Sequence, residues 1–88
     1  MRGLAGKVGI IAGAARGIGA ATARRLAAAG ATVVVNYVSN VKAADELVAG
    51  IVAQGGKAEA AAGDVAEDAA AQALVQGVLD RHGRLDVV

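Results

Sequence analysis

The chain has 88 residues, enough for one domain, and its 56% hydrophobic content and mean hydropathy of +0.50 exclude a disordered protein. No apolar run approaches the roughly 20 residues that a membrane span needs, and a net charge of +1 gives no footprint for nucleic acid. With no cysteine for disulfides and no secretion signal at the start, we expect a cytoplasmic location without nucleic-acid or membrane partners.

The first predicted elements are a strand over residues 7–12 and a helix from Gly17 to about Ala29. They are joined by GAARGIG, residues 13–19, called the glycine turn below. The first turn of a helix carries unpaired N–H groups and a partial positive charge, so this order predicts a diphosphate site. Gly13 permits the sharp turn, Gly17 lets the backbone approach the ligand, and Gly19 allows close packing of helix on sheet.

The next predicted pair is a strand over residues 31–36 and a helix that ends at Gln54-Gly55-Gly56. The strand is a continuous run of mostly β-branched apolar residues, with no alternation of apolar and polar side chains. This pattern is typical of a strand covered on both faces. Gly30 before it suits a left-handed helix end. The helix carries apolar residues at helical spacing that we expect to face inward, namely Val41, Ala44, Leu47, Val48, Ile51 and Val52.

The third predicted pair is a strand over residues 57–63 and a helix from Glu67 to about His82. The alanines of the strand favour helix on propensity alone, but a position between two helices demands a strand. Gly83 closes the helix, and residues 85–88 begin a fourth strand. The residues of this helix expected to face inward are Ala71, Leu74, Val75, Val78 and Leu79.

Four motifs now stand at compatible spacings: AGAARGIG at residues 12–19, NYVS at 36–39, GDV at 63–65 and GRLDVV at 83–88. Together they resemble the N-terminal part of a short-chain dehydrogenase/reductase, of the 3-oxoacyl-carrier-protein reductase and glucose dehydrogenase type. The resemblance covers essentially the whole chain. It departs at Ala12, where the family usually has Thr, and at Ala66, where the family has a Ser or Thr helix cap.

The alternation of strands and helices predicts an α/β fold with a doubly wound parallel sheet. We expect a partial Rossmann fold as one domain over residues 1–88, with three helices and strand order 3-2-1-4, truncated at the fourth strand. The first two helices lie on one face and the third on the other. A partly covered apolar face and an open sheet edge predict a homo-oligomer.

The resemblance implies a nicotinamide dinucleotide as cofactor. It places the diphosphate at the glycine turn, the adenosine 2′ position at the end of the second strand, and the adenine at the end of the third, where Asp64 accepts from the amino group. The residues implied are Gly13, Ala15, Arg16, Gly17, Ile18 and Gly19 at the diphosphate, Asn36, Tyr37 and Ser39 at the 2′ position, and Asp64 and Val65 at the adenine.

The end of the second strand favours NADP over NAD. An NAD site normally places an Asp or Glu there to accept from the ribose 2′-OH. This chain has no carboxylate at that point, and Arg16 in the glycine turn can pair with a 2′-phosphate. Plainer interpretations stay open: Arg16 solvated, Tyr37 packed against a helix, Asp64 capping the third helix, and His82 near a helix dipole with no metal site.

The resemblance implies that catalysis lies outside this chain. In the family an Asn-Asn-Ala-Gly stretch follows the position of Val88, and the catalytic Ser, Tyr and Lys come later, so no catalytic residue is expected here. The predicted function is the NADP(H)-binding portion of an oxidoreductase that reduces a carbonyl or oxidises an alcohol, inactive by itself. The alternative is a stand-alone or engineered α/β module that does no catalysis and self-associates.

Overall fold

The computed structural model of the chain describes residues 3–13 and 17–86. Strands and helices alternate in these ranges, and their ends lie within one or two residues of the predicted ones. No helix in the described part of the chain has both the length and the apolar content to cross a membrane. The elements are β1 (Val8–Ala12), α1 (Gly17–Ala28), β2 (Thr32–Tyr37), α2 (Val41–Ala53), β3 (Lys57–Ala62) and α3 (Asp68–His82).

The three strands form a parallel sheet in the order β1-β2-β3, which confirms the 3-2-1 part of the predicted order. Val8 pairs with Thr32, and Thr32 pairs with Lys57. The alanine-rich β3 is therefore a strand, because pairing with β2 outweighs the helical preference of its side chains.

The core consists of two layers on opposite faces of the central strand β2. Val33 and Val35 face α1 and α2, while Val34 faces α3, because successive side chains of a strand alternate between faces. This confirms both the predicted arrangement of the helices and a strand covered on both faces. The first layer buries Ala20, Ala23, Ala27, Ala44, Leu47 and Ile51, and the second buries Val8, Ile10, Leu74 and Val78.

Three apolar residues predicted to face inward are exposed instead. Val41, Val52 and Leu79 have exposed fractions of 47%, 54% and 37%. Val52 and Leu79 directly follow the buried residues Ile51 and Val78, so each is turned about 100° away from the core. Val41 is the first residue of α2, where the helix begins at the edge of the sheet. The buried apolar face of α2 and of α3 is therefore narrower than the sequence pattern indicates.

Two glycines end helices as predicted. Gly83 has a φ of +75°, and its N–H donates to the carbonyl of Leu79 over 2.8 Å. Gly30 has a φ of +106°. It also lies against the segment before β1, so that a Cβ at this position would stand 3.0 Å from the Ala5 nitrogen. Both positions therefore require the left-handed backbone that glycine adopts without strain.

After α3 the chain returns alongside β1. The Asp86 N–H donates to the Val8 carbonyl over 2.8 Å, and the Val8 N–H donates to Asp86 Oδ2 over 2.9 Å. This is the side of β1 on which the order 3-2-1-4 puts a fourth strand. Val87 and Val88 lie outside the described residues, so the fourth strand stays a prediction.

An ion-pair cluster joins the end of α3 to β3. Arg81 Nη2 lies 2.7 Å from Glu59 Oε2, and His82 Nε2 contacts Glu59 Oε1. The sequence suggests for His82 only an interaction with the helix dipole, so its contact with Glu59 is a new finding. The cluster fixes the last turn of α3 against the sheet.

Candidate cofactor site

The carboxyl ends of the three parallel strands meet at one edge of the sheet. Gly13 follows β1, Val38 and Ser39 follow β2, and residues 63–65 follow β3. The first turn of α1 begins at this edge with Gly17. The crevice outside the carboxyl ends of such strands is where open α/β sheets bind ligands. Three of the sequence motifs thus come together at one edge.

The described ends of the glycine turn leave open space above the backbone. Gly13 and Gly17 have φ values of +65° and +66°, and a Cβ built on either would have no neighbour within 4 Å among residues 3–13 and 17–86. Ile18 is 87% exposed, Gly19 is partly buried, and the first turn of α1 carries no acidic residue. An anionic diphosphate fits this environment. Ala15 and Arg16 lie outside the described residues.

The three residues predicted for the 2′ position point to different places. Asn36 is buried on the α3 face, and its Nδ2 donates to the carbonyls of Ala61 and Gly63 over 3.2 and 3.0 Å. Tyr37 packs against the opposite layer, beside α1 and α2, which agrees with the plainer interpretation of this residue. Ser39 is exposed beyond the end of β2. Ser39 is therefore the freest of the three to meet a ligand.

Asp64 braces the loop between β3 and α3. Its Oδ1 accepts from the Ala66 N–H over 3.0 Å, and its carbonyl accepts from the Glu67 N–H over 2.9 Å. The N-cap of α3 is Glu67, whose side chain makes no capping hydrogen bond, so the helix begins one residue later than predicted. Val65 is 44% exposed at the same edge.

A basic residue missed by the sequence analysis also lies at this edge. Lys42 is exposed in the first turn of α2, just beyond the end of β2. No Asp or Glu occurs between Thr32 and Asp45. The sequence signal for Lys42 is its position shortly after β2, the strand whose end is predicted to select between NAD and NADP. In the described part of the chain, no His, Asp and Glu side chains form a group of three that could hold a metal ion.

Comparison with known protein families shows the class of protein to which the chain belongs. The family model described as short chain dehydrogenase matches residues 7–88, nearly the whole chain. The chain therefore belongs to the short-chain dehydrogenase family. This confirms the resemblance and the α/β fold that it implies.

Particular relatives agree with this family. The chain is 49% identical over 85 residues to an uncharacterised oxidoreductase of Methylorubrum extorquens, covering 97% of the chain and 34% of that protein. It is 46% identical over 88 residues to a 3-oxoacyl-[acyl-carrier-protein] reductase of Synechocystis, covering all of the chain and 36% of that protein. The chain thus spans about a third of the length of these relatives.

Solved structures give the same fold. A metagenomic short-chain oxidoreductase in complex with NADP superposes with a TM-score of 0.90 and 45% identity, over 96% of this chain and 38% of that one. A short-chain dehydrogenase of Burkholderia cenocepacia, also in complex with NADP, superposes with a TM-score of 0.89 and 42% identity, over 99% and 36%.

Proposed function

We propose that the chain binds NADP(H) as a portion of a short-chain oxidoreductase that reduces a carbonyl or oxidises an alcohol. The observation that carries the proposal is the open, left-handed backbone at Gly13 and Gly17, beside the start of α1. The two similar structures that hold NADP support the choice of cofactor.

The proposed roles follow the order of the strands. Backbone N–H groups of the glycine turn hold the diphosphate, with Ala15 and Arg16 in the same turn and Ile18 and Gly19 in the first turn of α1. Ser39 and Tyr37 flank the adenosine ribose. Asp64 accepts a hydrogen bond from the adenine amino group through its carboxylate, and the Val65 backbone completes the base pocket.

NADP is preferred over NAD in this proposal because of charge. A carboxylate at the end of β2 would repel a 2′-phosphate, and the chain has none there. Lys42, shortly after the end of β2, and Arg16, in the glycine turn, supply positive charge. When bound, the reduced cofactor would donate a hydride to a carbonyl, and the oxidised cofactor would accept one from an alcohol. The residues of this chain bind and orient the cofactor. We assign no catalytic residue to the chain.

Titration calorimetry with NADPH tests the glycine turn through Gly17→Ala. The added methyl occupies the space that the diphosphate needs, so we expect affinity to fall at least about tenfold, or 1.4 kcal/mol. Gly55→Ala is the matched control, because Gly55 also has a positive φ (+87°) and open surroundings but lies in the turn after α2, at the opposite edge. Equal losses in both variants, or no binding by the unaltered chain, would contradict the proposal.

The same titration tests cofactor choice through Arg16→Ala. Losing a charged hydrogen bond worth about 1.5–3 kcal/mol should weaken NADPH binding about 10- to 150-fold and leave NADH binding unchanged. Arg24→Ala, which removes an exposed arginine farther along α1, is the control and should change neither affinity. Unchanged NADPH affinity in Arg16→Ala would remove the phosphate role of this residue.

A second candidate is a non-catalytic module that self-associates. The observation that favours it is an apolar stripe on α3, formed by Ala71, Val75 and Leu79 at spacings of four residues. Ala71 and Val75 are only partly buried, and Leu79 is exposed. We propose that a second copy of the chain covers this stripe. A chain that assembles but binds neither NADPH nor NADH would favour this candidate.

A further inference from the structure

We infer that Asn36 is a positioning residue for the adenine pocket rather than a group that reads the 2′-phosphate. The inference rests on the proposed function and assigns Asn36 a different role from its neighbours at the end of β2. Its side chain ties β2 to the loop after β3. Through that loop it holds Asp64 and Val65 in place.

Asn36 lies on the α3 face of the sheet. Because strand side chains alternate, Asn36 shares the α3 face with Val34, while Tyr37 shares the other face with Val35. Asn36 is only 1% exposed. A ligand that crosses the outer edge of the sheet therefore meets other groups before it meets this side chain.

The Asn36 amide donates as many hydrogen bonds as it has hydrogens. The Nδ2 group has two hydrogens, and two carbonyls accept from it, those of Ala61 and Gly63. An ionised Asp has no donor for either carbonyl, and a Thr hydroxyl has one. The side chain is therefore fully engaged as a donor inside the protein, and it has no hydrogen left for a phosphate.

Hydrogen bonds through Gly63 connect β2 to the loop that carries Asp64. The Gly63 N–H donates to the Tyr37 carbonyl over 2.9 Å, so both polar backbone groups of Gly63 are bonded to β2. A Cβ at Gly63 would stand 3.9 Å from both Asn36 Nδ2 and the Ala70 carbonyl. Gly63 is thus held between β2 and α3, and Asp64 follows directly. The position of the adenine acceptor depends on these bonds.

The Asn36→Asp variant separates the two roles. An aspartate that reads the 2′ position would accept from the ribose 2′-OH and turn the preference toward NADH. A positioning residue behaves differently, because the carboxylate repels the two carbonyls and displaces the adenine loop. We expect NADPH and NADH affinities to fall together, by about tenfold or more, with their ratio unchanged. A shift of the ratio toward NADH would overturn the inference.

A second pair of variants controls for the chance that Asn36→Asp unfolds the chain. Asn36→Thr keeps one donor and Asn36→Val keeps none, at similar size and shape. We expect Asn36→Thr to bind NADPH more tightly than Asn36→Val, whereas binding of inorganic pyrophosphate at the glycine turn stays equal in both. Equal NADPH affinities of the two variants, matching those of the unaltered chain, would contradict a positioning role.

Amide hydrogen exchange in the free chain gives a readout that needs no nucleotide. In Asn36→Val we expect faster exchange at Gly63, whose N–H donates to the Tyr37 carbonyl of β2. We also expect faster exchange at Ala66 and Glu67, whose N–H groups donate to Asp64 within the loop, and unchanged exchange in α1. Unchanged exchange at all three amides would overturn the inference. If the unaltered chain binds no nucleotide, the proposed function fails, and the exchange result still decides whether Asn36 orders the loop.

Discussion

The Asp86 carboxylate joins the segment after α3 to the start of β1. Its oxygens accept from Arg84 Nε and Nη2, each over 2.8 Å, and from the Val8 N–H. These donors favour the ionised form. The Arg84 side chain, followed by the Val8 N–H, therefore lowers the pKa of Asp86 from 3.8 to about 2.

The lowered pKa of Asp86 predicts a specific pH response. The carboxylate stabilises the folded chain fully above its ordinary pKa of 3.8, and this contribution is lost as the pH falls toward about 2. An NMR titration of the Asp86 side chain should give a midpoint near 2, and Arg84→Ala should raise it toward 3.8. Arg24→Ala should leave the midpoint where it is. A midpoint that Arg84→Ala leaves unchanged would refute this account of the contact between β1 and the segment that follows α3.

The start of α3 shows how one element is only partly stabilised. Its N-cap, Glu67, has the extended backbone of a cap, with φ −98° and ψ 124°, but its side chain accepts no hydrogen bond from the helix. The first N–H groups of α3 thus lack the partner that Ser, Thr, Asp or Asn would supply. Asp64 does not fill this role, because its carboxylate bonds to the Ala66 N–H in the loop.

A cap at Glu67 should stabilise the chain. We expect Glu67→Ser to raise the free energy of unfolding by about 0.5–2 kcal/mol, seen as a higher urea midpoint. Glu46→Ser makes the same change at an exposed position inside α2 and should lower stability by less than about 0.7 kcal/mol, because serine is a poorer helix former. Equal effects at the two positions would show that Glu67 does not occupy a cap.

Some features of the fold can be predicted from the sequence and others cannot. The glycine turn and the unbroken apolar run of β2 are local patterns, so the order of elements and the layers around β2 follow from them. The outward turn of Leu79 and the inward turn of Asn36 depend on which neighbours are present. The pairing of Glu59 with Arg81 depends on the crossing of α3 over β3, which no short pattern contains.

At the scale of the whole molecule, the stripe of Ala71, Val75 and Leu79 predicts self-association. Size-exclusion chromatography with light scattering at micromolar concentrations should give a mass above that of one chain. Leu79→Gln should shift the mass toward the monomer, because it places a polar amide in the apolar contact. Val52→Gln, at an exposed valine on the opposite face, should change nothing. A monomer across the concentration range would disprove assembly.

The parallel register also governs the order in which the chain can fold. Residue 8 pairs with residue 32, and residue 32 with residue 57, so no strand meets its partner without a complete helix between them. On the ribosome, β1 must therefore wait until β2 has emerged from the exit tunnel. Pairing between strands that are distant in sequence slows folding. We therefore expect α1 and α2 to become helical before the three strands pair into the sheet.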